Sequence, residues 1–292
     1  MEIERQFLLR SSKPEARGQL SCSVDAITDT RESISMFVTT TLTDGIGVVT
    51  LDQPSKRNAL SSALVEELIA ALAKFQKDAA RVVILRAAAD AKVWSAGHDI
   101  SELPQGQDPL LYSDSLERLL RAVKVLPAPV IAMIHGSVWG GATDLVLSCD
   151  LIVGDETCSF AITPANLGLA YNTAGLLQFM RRLPLNLVKE MFFTATPVKA
   201  EDAAKWGILN HLAPAAELEG FTLNLAKSIA MKAPLVVAAV KEQLRILAEA
   251  APITPEIFER IQELRQRVYQ SADYQEGIRA FHEKRKPVFR GE

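Results

Sequence analysis

Two stretches of the chain carry residue types whose spacing suits chemistry. The first runs from His135 to Asp150. An apolar run, Val130 to Ile134, enters it as a buried strand, and a helical run from Thr143 to Ser148 leaves it. Between them lie Gly140 and Gly141, which let the backbone turn sharply and approach a ligand closely. The N–H of Gly141 then falls near the start of a helix. First-turn N–H groups there lack intrahelical partners, and the helix dipole favours negative charge. Such a place suits an oxygen that becomes an oxyanion during a reaction. The second stretch is Ser95-Ala96-Gly97-His98-Asp99-Ile100, which follows a strand-like run centred on Val82 to Leu85. Taken alone, the first stretch reads better as an ordinary strand-to-helix turn with glycines for tight packing, and the second changes that balance.

Together, Ser-Ala-Gly-His-Asp-Ile and the later Gly-Gly-Ala-Thr-Asp resemble the paired signature of the crotonase superfamily, the enoyl-CoA hydratase/isomerase family. The resemblance runs from about Met36 to the C-terminus. It implies that the backbone N–H groups of His98 and Gly141 form a two-donor hole for the thioester carbonyl of an acyl-CoA. Ala96, Gly97, Asp99 and Ile100 of the same loop would bind the substrate or its CoA. The Lys56-Arg57-Asn58-Ala59-Leu60 segment resembles the family's Arg-Asn-Ala-Leu motif, which places Lys56, Arg57 and Ala59 beside the CoA. Two solvated cations in a loop explain the same residues without a ligand. Lys284, in Phe281-His282-Glu283-Lys284-Arg285, resembles a C-terminal lysine that reaches CoA phosphate, often across a subunit boundary.

Hydratases of this superfamily use two glutamates, because one group must take a proton while another gives one. Here the first position is Asp144 and the second is Pro164, which cannot transfer a proton. Thr163 and Tyr171 stand nearby, where the hydratases have neither. The segment Thr163 to Asn172, with the two glycine stretches and the C-terminal Phe-His-Glu-Lys-Arg-Lys-Pro, is similar to a decarboxylating subgroup, the bacterial methylmalonyl-CoA decarboxylases. That similarity implies decarboxylation of methylmalonyl-CoA to propionyl-CoA and CO2, with no cofactor beyond the CoA of the substrate. The chemistry is consistent. Loss of CO2 from a 2-carboxyacyl thioester leaves an enolate that a pair of donors stabilises, and no base is needed to start it. Tyr171 would orient the carboxylate, and Thr163 would contact it or assist protonation. Trp139 and Leu169 would limit water there. Asp144 stays open between a structural hydrogen bond and a proton relay. Two rival readings are an enoyl-CoA hydratase or isomerase with Asp144 as its only carboxylate, and an inactive acyl-CoA-binding or scaffold protein.

The elements that must position these residues follow from the pattern. The 292 residues are 48% hydrophobic and 23% charged with a formal net charge of -3, enough chain for a full core and no pointer to nucleic acid. No apolar run is long enough to span a bilayer. Cys22, Cys149 and Cys158 are too few for a disulfide framework or a zinc site, and His135, His211 and His282 too dispersed for a metal motif. The chain reads as cytoplasmic. Strands alternating with helices to about residue 210 predict an α/β fold, which the family resemblance sharpens to a spiral of strand-strand-helix units. Asp44-Gly45 predicts a hairpin. Ser61 or Ser62, Asp114 with Glu117, Thr254 with Pro255, and Asp273 with Glu276 predict helix starts. The expected division is a mobile extension over 1–35, a spiral core over 36–220 and a C-terminal helical region over 221–292. By resemblance, that last region builds a homotrimer or a dimer of trimers.

Overall fold

The structure, a computed structural model, describes residues 31–34, 36–104, 108, 110–250 and 254–291. Most of the expected N-terminal extension lies outside them. Its described part corrects the expectation: β1 (Arg31–Ile34) is a strand paired antiparallel with β2 (Val38–Thr43). The Asp44-Gly45 turn then leads into β3 (Ile46–Leu51). Both turn residues have positive φ, 51° and 75°, the backbone that a two-residue hairpin needs for its twist.

From there the chain winds as a spiral. After α1 (Ser62–Lys77), β4 (Val82–Ala87) enters one sheet, β5 (Val93–Ser95) a second sheet, and α2 (Ser115–Val125) closes the turn. The next turn repeats this with β6 (Val130–Ile134), β7 (Ser137–Trp139) and α3 (Gly141–Ser148). A third uses β8 (Leu151–Gly154), β9 (Ser159–Ala161) and α4 (Thr173–Arg182). Then α5 (Leu185–Thr194), β10 (Val198–Lys199), α6 (Ala200–Lys205) and β11 (His211–Leu212) finish both sheets. The larger sheet has the order β1-β2-β3-β4-β6-β8-β11 and is parallel from β3 onward. The smaller has the order β10-β9-β7-β5, with only β10 antiparallel.

Alternation along the strands builds two cores. Val83, Leu85, Val130, Ala132 and Ile134 face inward against α1, α2 and the smaller sheet. Val82, Ile84, Ile131 and Met133 face outward and are covered by Leu218 and Ala226 of α7 (Leu218–Ala230). Strands buried on both faces read as unbroken apolar runs, which is why the sequence shows them without a period of two. The boundary expected at residue 220 therefore cuts α7, a helix that belongs to the core. Cys149 and Cys158 are buried free thiols, pushed up to about 12 by burial, and so inert as nucleophiles.

Beyond α7 come α8 (Pro234–Glu249), α9 (Pro255–Tyr269) and α10 (Ala272–His282). Among the described residues no single helix is long and apolar enough to cross a membrane. The C-terminal helices return to the spiral. Tyr274 Oη donates to the carbonyl of Pro104 at 2.9 Å, and Tyr269 Oη to that of Ala170 at 2.5 Å. A Cβ built on Gly277 would sit 2.1 Å from the Leu167 carbonyl oxygen, so α10 lies directly on the segment between Pro164 and Tyr171. The cap of α10 differs from expectation. Ser271 accepts from the Tyr274 N–H, while Asp273 accepts from the N–H groups of Arg290 and Gly291 and fastens the tail.

Candidate active site

The turn before α3 and the loop after β5 meet backbone to backbone. Gly140 has φ 50° and ψ -123°, a conformation open to glycine alone at low cost. Its N–H donates to the Ala161 carbonyl at 2.8 Å, fixing the turn against β9. Gly141 is the first residue of α3, where an N–H has no intrahelical acceptor. On the other side, Leu60 donates to the Gly97 carbonyl and accepts from the Asp99 N–H. Bonding of that parallel type leaves the intervening His98 N–H pointing away from Leu60. Neither the His98 N–H nor the Gly141 N–H has an acceptor among the described hydrogen bonds. A Cβ on Gly141 would lie 3.5 Å from the His98 nitrogen; one on Gly97, at φ 82°, would lie 2.4 Å from the Trp139 carbonyl oxygen and 3.2 Å from the Gly141 nitrogen. Glycines at these two places let the donors come together.

Both donors' residues line a small cavity of about 70 Å³, with Asp144, Thr163, Pro164 and Tyr171 in its wall. It opens into a second cavity of about 590 Å³ through shared residues Ala96, His98, Ile100, Thr163 and Leu167. Lys56, Arg57, Ala59, Asp99, Trp139 and Phe281 line the wider one. A wide chamber leading to a narrow end fits an elongated ligand with a bulky head and a short reacting group.

The Lys56–Leu60 loop is tied to the donor loop by polar bonds. Ser95 Oγ donates to the Asn58 carbonyl at 2.6 Å and accepts from the Gly97 N–H at 3.2 Å. Asn58 Nδ2 donates to the Trp94 carbonyl at 3.0 Å, while its Oδ1 accepts from the Gln53 N–H at 2.8 Å. Lys56 Nζ meets Asp99 Oδ2 at 2.9 Å. That contact raises the lysine's pKa, by hydrogen bond first and charge second. Burial pushes the Asp99 carboxyl up, yet hydrogen bonds from Ser101 and Lys56 outweigh it and leave it below its ordinary value.

At the far end Tyr171 Oη donates to Asp144 Oδ2 at 2.9 Å. Asp144 is 2% exposed and its Oδ1 has no partner. Burial pushes its pKa up to about 6; Lys124 and Tyr171 oppose this and Glu117 adds to it. Burial also raises the Tyr171 phenol well above its ordinary value, and the adjacent Asp144 charge reinforces this. The Tyr171 ring packs edge-on against Phe179 and Phe192 at 6.1 and 5.1 Å between centroids.

The family model for enoyl-CoA hydratase/isomerase matches residues 41–292. This chain belongs to the enoyl-CoA hydratase/isomerase family. It is 46% identical over 256 residues to a methylmalonyl-CoA decarboxylase of Escherichia coli (strain K12), covering 87% of this chain and 98% of that protein. It is 34% identical over 246 residues to a carnitinyl-CoA dehydratase of Proteus mirabilis (strain HI4320), covering 83% and 94%. A solved methylmalonyl-CoA decarboxylase in complex with 2-nitronate-propionyl-CoA superposes with a TM-score of 0.87 at 45% identity, covering 89% of this chain and all of that one.

Within this family member the structure brings most of the expected residues to one place. His98, Gly141, Thr163, Tyr171 and Asp144 border the narrow cavity, and Lys56, Arg57, Ala59, Asp99 and Ile100 the wide one, with Ala96 in both walls. Gly97 lines neither cavity and acts through its backbone. Lys284 is exposed beyond α10 and does not reach the wide cavity within its own chain. Tyr171 differs from expectation in one respect: its hydroxyl hydrogen is engaged with Asp144. Glu117 is a larger correction. Asp114 alone caps α2, accepting from the Leu116 N–H at 2.9 Å. Glu117 turns inward, 6% exposed, and accepts from Asn172 Nδ2 at the edge of the narrow cavity.

Proposed function

We propose that this chain decarboxylates methylmalonyl-CoA to propionyl-CoA and CO2, through an enolate whose oxygen is held by the N–H groups of His98 and Gly141. The observation that carries the reading is the composition of the narrow cavity. It joins two free backbone donors to a Tyr171–Asp144 pair, and its wall carries Pro164, the residue that by family resemblance matches the hydratases' second glutamate. The Escherichia coli relative and the solved decarboxylase support the same reading. The CoA head lies in the wide cavity beside Lys56, Arg57 and Ala59. Enolate formation from this substrate needs no metal or redox group, because the departing CO2 leaves its electron pair on the thioester.

Charge decides the state of Asp144. A substrate carboxylate entering a cavity of about 70 Å³ beside an ionised Asp144 would bury two like charges together. The substrate must stay ionised to lose CO2, so Asp144 holds the proton. Asp144 then donates to Tyr171, and the Tyr171 O–H turns to the substrate carboxylate and orients it for cleavage. Thr163, half-buried on the wall shared by both cavities, supplies a second hydroxyl. After CO2 leaves, Tyr171 passes its hydrogen to C2, Asp144 replaces it, and the Asp144 carboxylate takes a proton from solvent as propionyl-CoA departs.

CO2 release from methylmalonyl-CoA, with no added metal, biotin or nucleotide, tests the reading directly, and absence of release from folded protein rejects it. The free-enzyme pKa of about 6 gives a second expectation. A group that must be protonated loses its function as pH rises through its pKa, so kcat/KM falls above about pH 6, toward tenfold per unit. Asp144→Asn removes this break. An identical break in that variant would assign it elsewhere.

Tyr171→Phe keeps the ring contacts with Phe179 and Phe192 and should fold. Loss of one hydrogen bond to a charged group costs about 1.5–3 kcal/mol, a fall in kcat of roughly ten- to 150-fold. Unchanged turnover at saturating substrate removes the hydroxyl from the mechanism. The assembly we infer is a homotrimer or dimer of trimers. Val236, Val240, Leu244 and Leu247 on α8 are 47–72% exposed, an apolar face that a second copy would cover. Sedimentation equilibrium gives the mass against 31.9 kDa for one chain, and a monomer would reject that part.

A further inference from the structure

Glu117 takes no part in the chemistry above, yet it is one of two carboxyls in the wall of the narrow cavity. It accepts a hydrogen bond from Asn172 Nδ2. Asn172 Oδ1 in turn accepts from the Gly175 N–H at 2.7 Å and caps α4. The next residue toward the N-terminus is Tyr171, bonded to Asp144. There is no slack in this arrangement. A Cβ on Gly175 would lie 2.3 Å from Tyr171 Cε1, 2.7 Å from Asn172 Oδ1 and 2.8 Å from Asp144 Oδ2. Helix α4 therefore presses on the tyrosine, the asparagine and the aspartate at once, and a shift of Asn172 moves the Tyr171 hydroxyl.

We propose that Glu117 is a positioning residue, which through Asn172 fixes where the Tyr171 hydroxyl meets Asp144. Two further observations agree. The N-terminal cap of α2 is already supplied by Asp114, so Glu117 is not needed there. A buried carboxyl that accepts from a side chain on another element also carries a desolvation cost that a helix surface would not impose. The groups around Asp144 are Lys124 and Glu117 from α2 and Tyr171 from the loop before α4. Of these, Glu117 and Lys124 act by charge in opposite directions. Glu117 makes Asp144 hold its proton more tightly; burial raises the pKa of Glu117 itself, against the Asn172 hydrogen bond.

Glu117→Gln keeps an acceptor for Asn172 and removes the charge. Its kcat should stay within about threefold of wild type, while the pH break of kcat/KM moves to lower pH. Glu117→Leu removes the acceptor, and its kcat should fall roughly tenfold or more with KM nearly constant. Asn172→Asp keeps the α4 cap but sets carboxylate against carboxylate, and should be equally impaired. The double variant Glu117→Gln, Asn172→Asp reverses the bond, the glutamine amide donating to the introduced carboxylate, and should recover most of the lost kcat. A role in stability alone predicts a lower melting temperature in Glu117→Leu with no shift of the pH break in Glu117→Gln; that result, or no rescue in the double variant, overturns the proposal. The kinetic part rests on the decarboxylase reading. A 13C-carboxyl NMR titration of aspartate-labelled protein, with the Asp144 signal assigned by Asp144→Asn, therefore reads the coupling without turnover. Asp144 should titrate lower in Glu117→Gln than in wild type, and an unmoved titration overturns the proposal even if wild type releases CO2.

Discussion

Gly141→Pro should lower kcat for CO2 release by roughly a hundredfold or more relative to Gly141→Ala, the effect of one oxyanion donor. The comparison is matched by the geometry. Either substitution adds a Cβ that would lie 2.6 Å from Leu116 Cδ2, the movable end of a side chain. Alanine keeps the N–H and proline deletes it. Proline is tolerated at the first position of a helix, since the lost N–H has no helical partner. The preceding residue, Gly140, carries no Cβ to meet the proline ring. Helix content by circular dichroism and retained CoA binding establish that both variants fold. If the proline variant turns over within about threefold of the alanine variant, the Gly141 N–H contributes no such donor.

The turn at Gly140 and Gly141 was legible in the sequence because its signal is local, while its pairing with the Gly97-His98 loop as an oxyanion hole came from the family resemblance. Gly97, Gly140 and Gly141 mark backbone that must turn or pack closely, and the structure shows what each one faces. The hairpin at Asp44-Gly45 was legible for the same reason. The order of the spiral came from resemblance, since strands buried on both faces carry no period that reveals which sheet they join. Glu117 was misread because its spacing from Asp114 fits a capping box. Only the depth of α2 decides otherwise, and depth depends on α3 and α4, which lie later in the chain. One signal was present: Glu117 and Lys124 are seven residues apart, on one edge of the arc formed by Leu116, Leu119, Leu120 and Val123. Both face Asp144, and burial lowers the pKa of Lys124 against the pull of Asp144 and Glu117. The boundary at residue 220 failed for a related reason, because apolar residues on α7 look alike whether they cover a sheet or a partner.

Hydration of crotonyl-CoA should be slower than decarboxylation of methylmalonyl-CoA by roughly a hundredfold or more, the contribution of one absent acid–base group. Concerted hydration needs one group to activate water and another to deliver a proton to C2. Asp144 can fill one role. Pro164, buried in the cavity wall, cannot fill the other. Glu117 is a second carboxyl at the same cavity, but it accepts from Asn172 and lies on the α2 side of the wall, away from the turn that carries Pro164. Thr163 and Tyr171 do not replace a base near neutral pH; burial holds the Tyr171 phenol well above its ordinary range. Decarboxylation avoids the deficiency, because the substrate supplies the electron pair and the enzyme has only to receive it at the thioester oxygen. The check is a pair of initial rates on one preparation: loss of enoyl-thioester absorbance with crotonyl-CoA and CO2 release with methylmalonyl-CoA. Efficient hydration with negligible CO2 release would return the chain to the hydratases and assign Glu117 the missing catalytic role, with the spiral fold and its oxyanion hole unchanged.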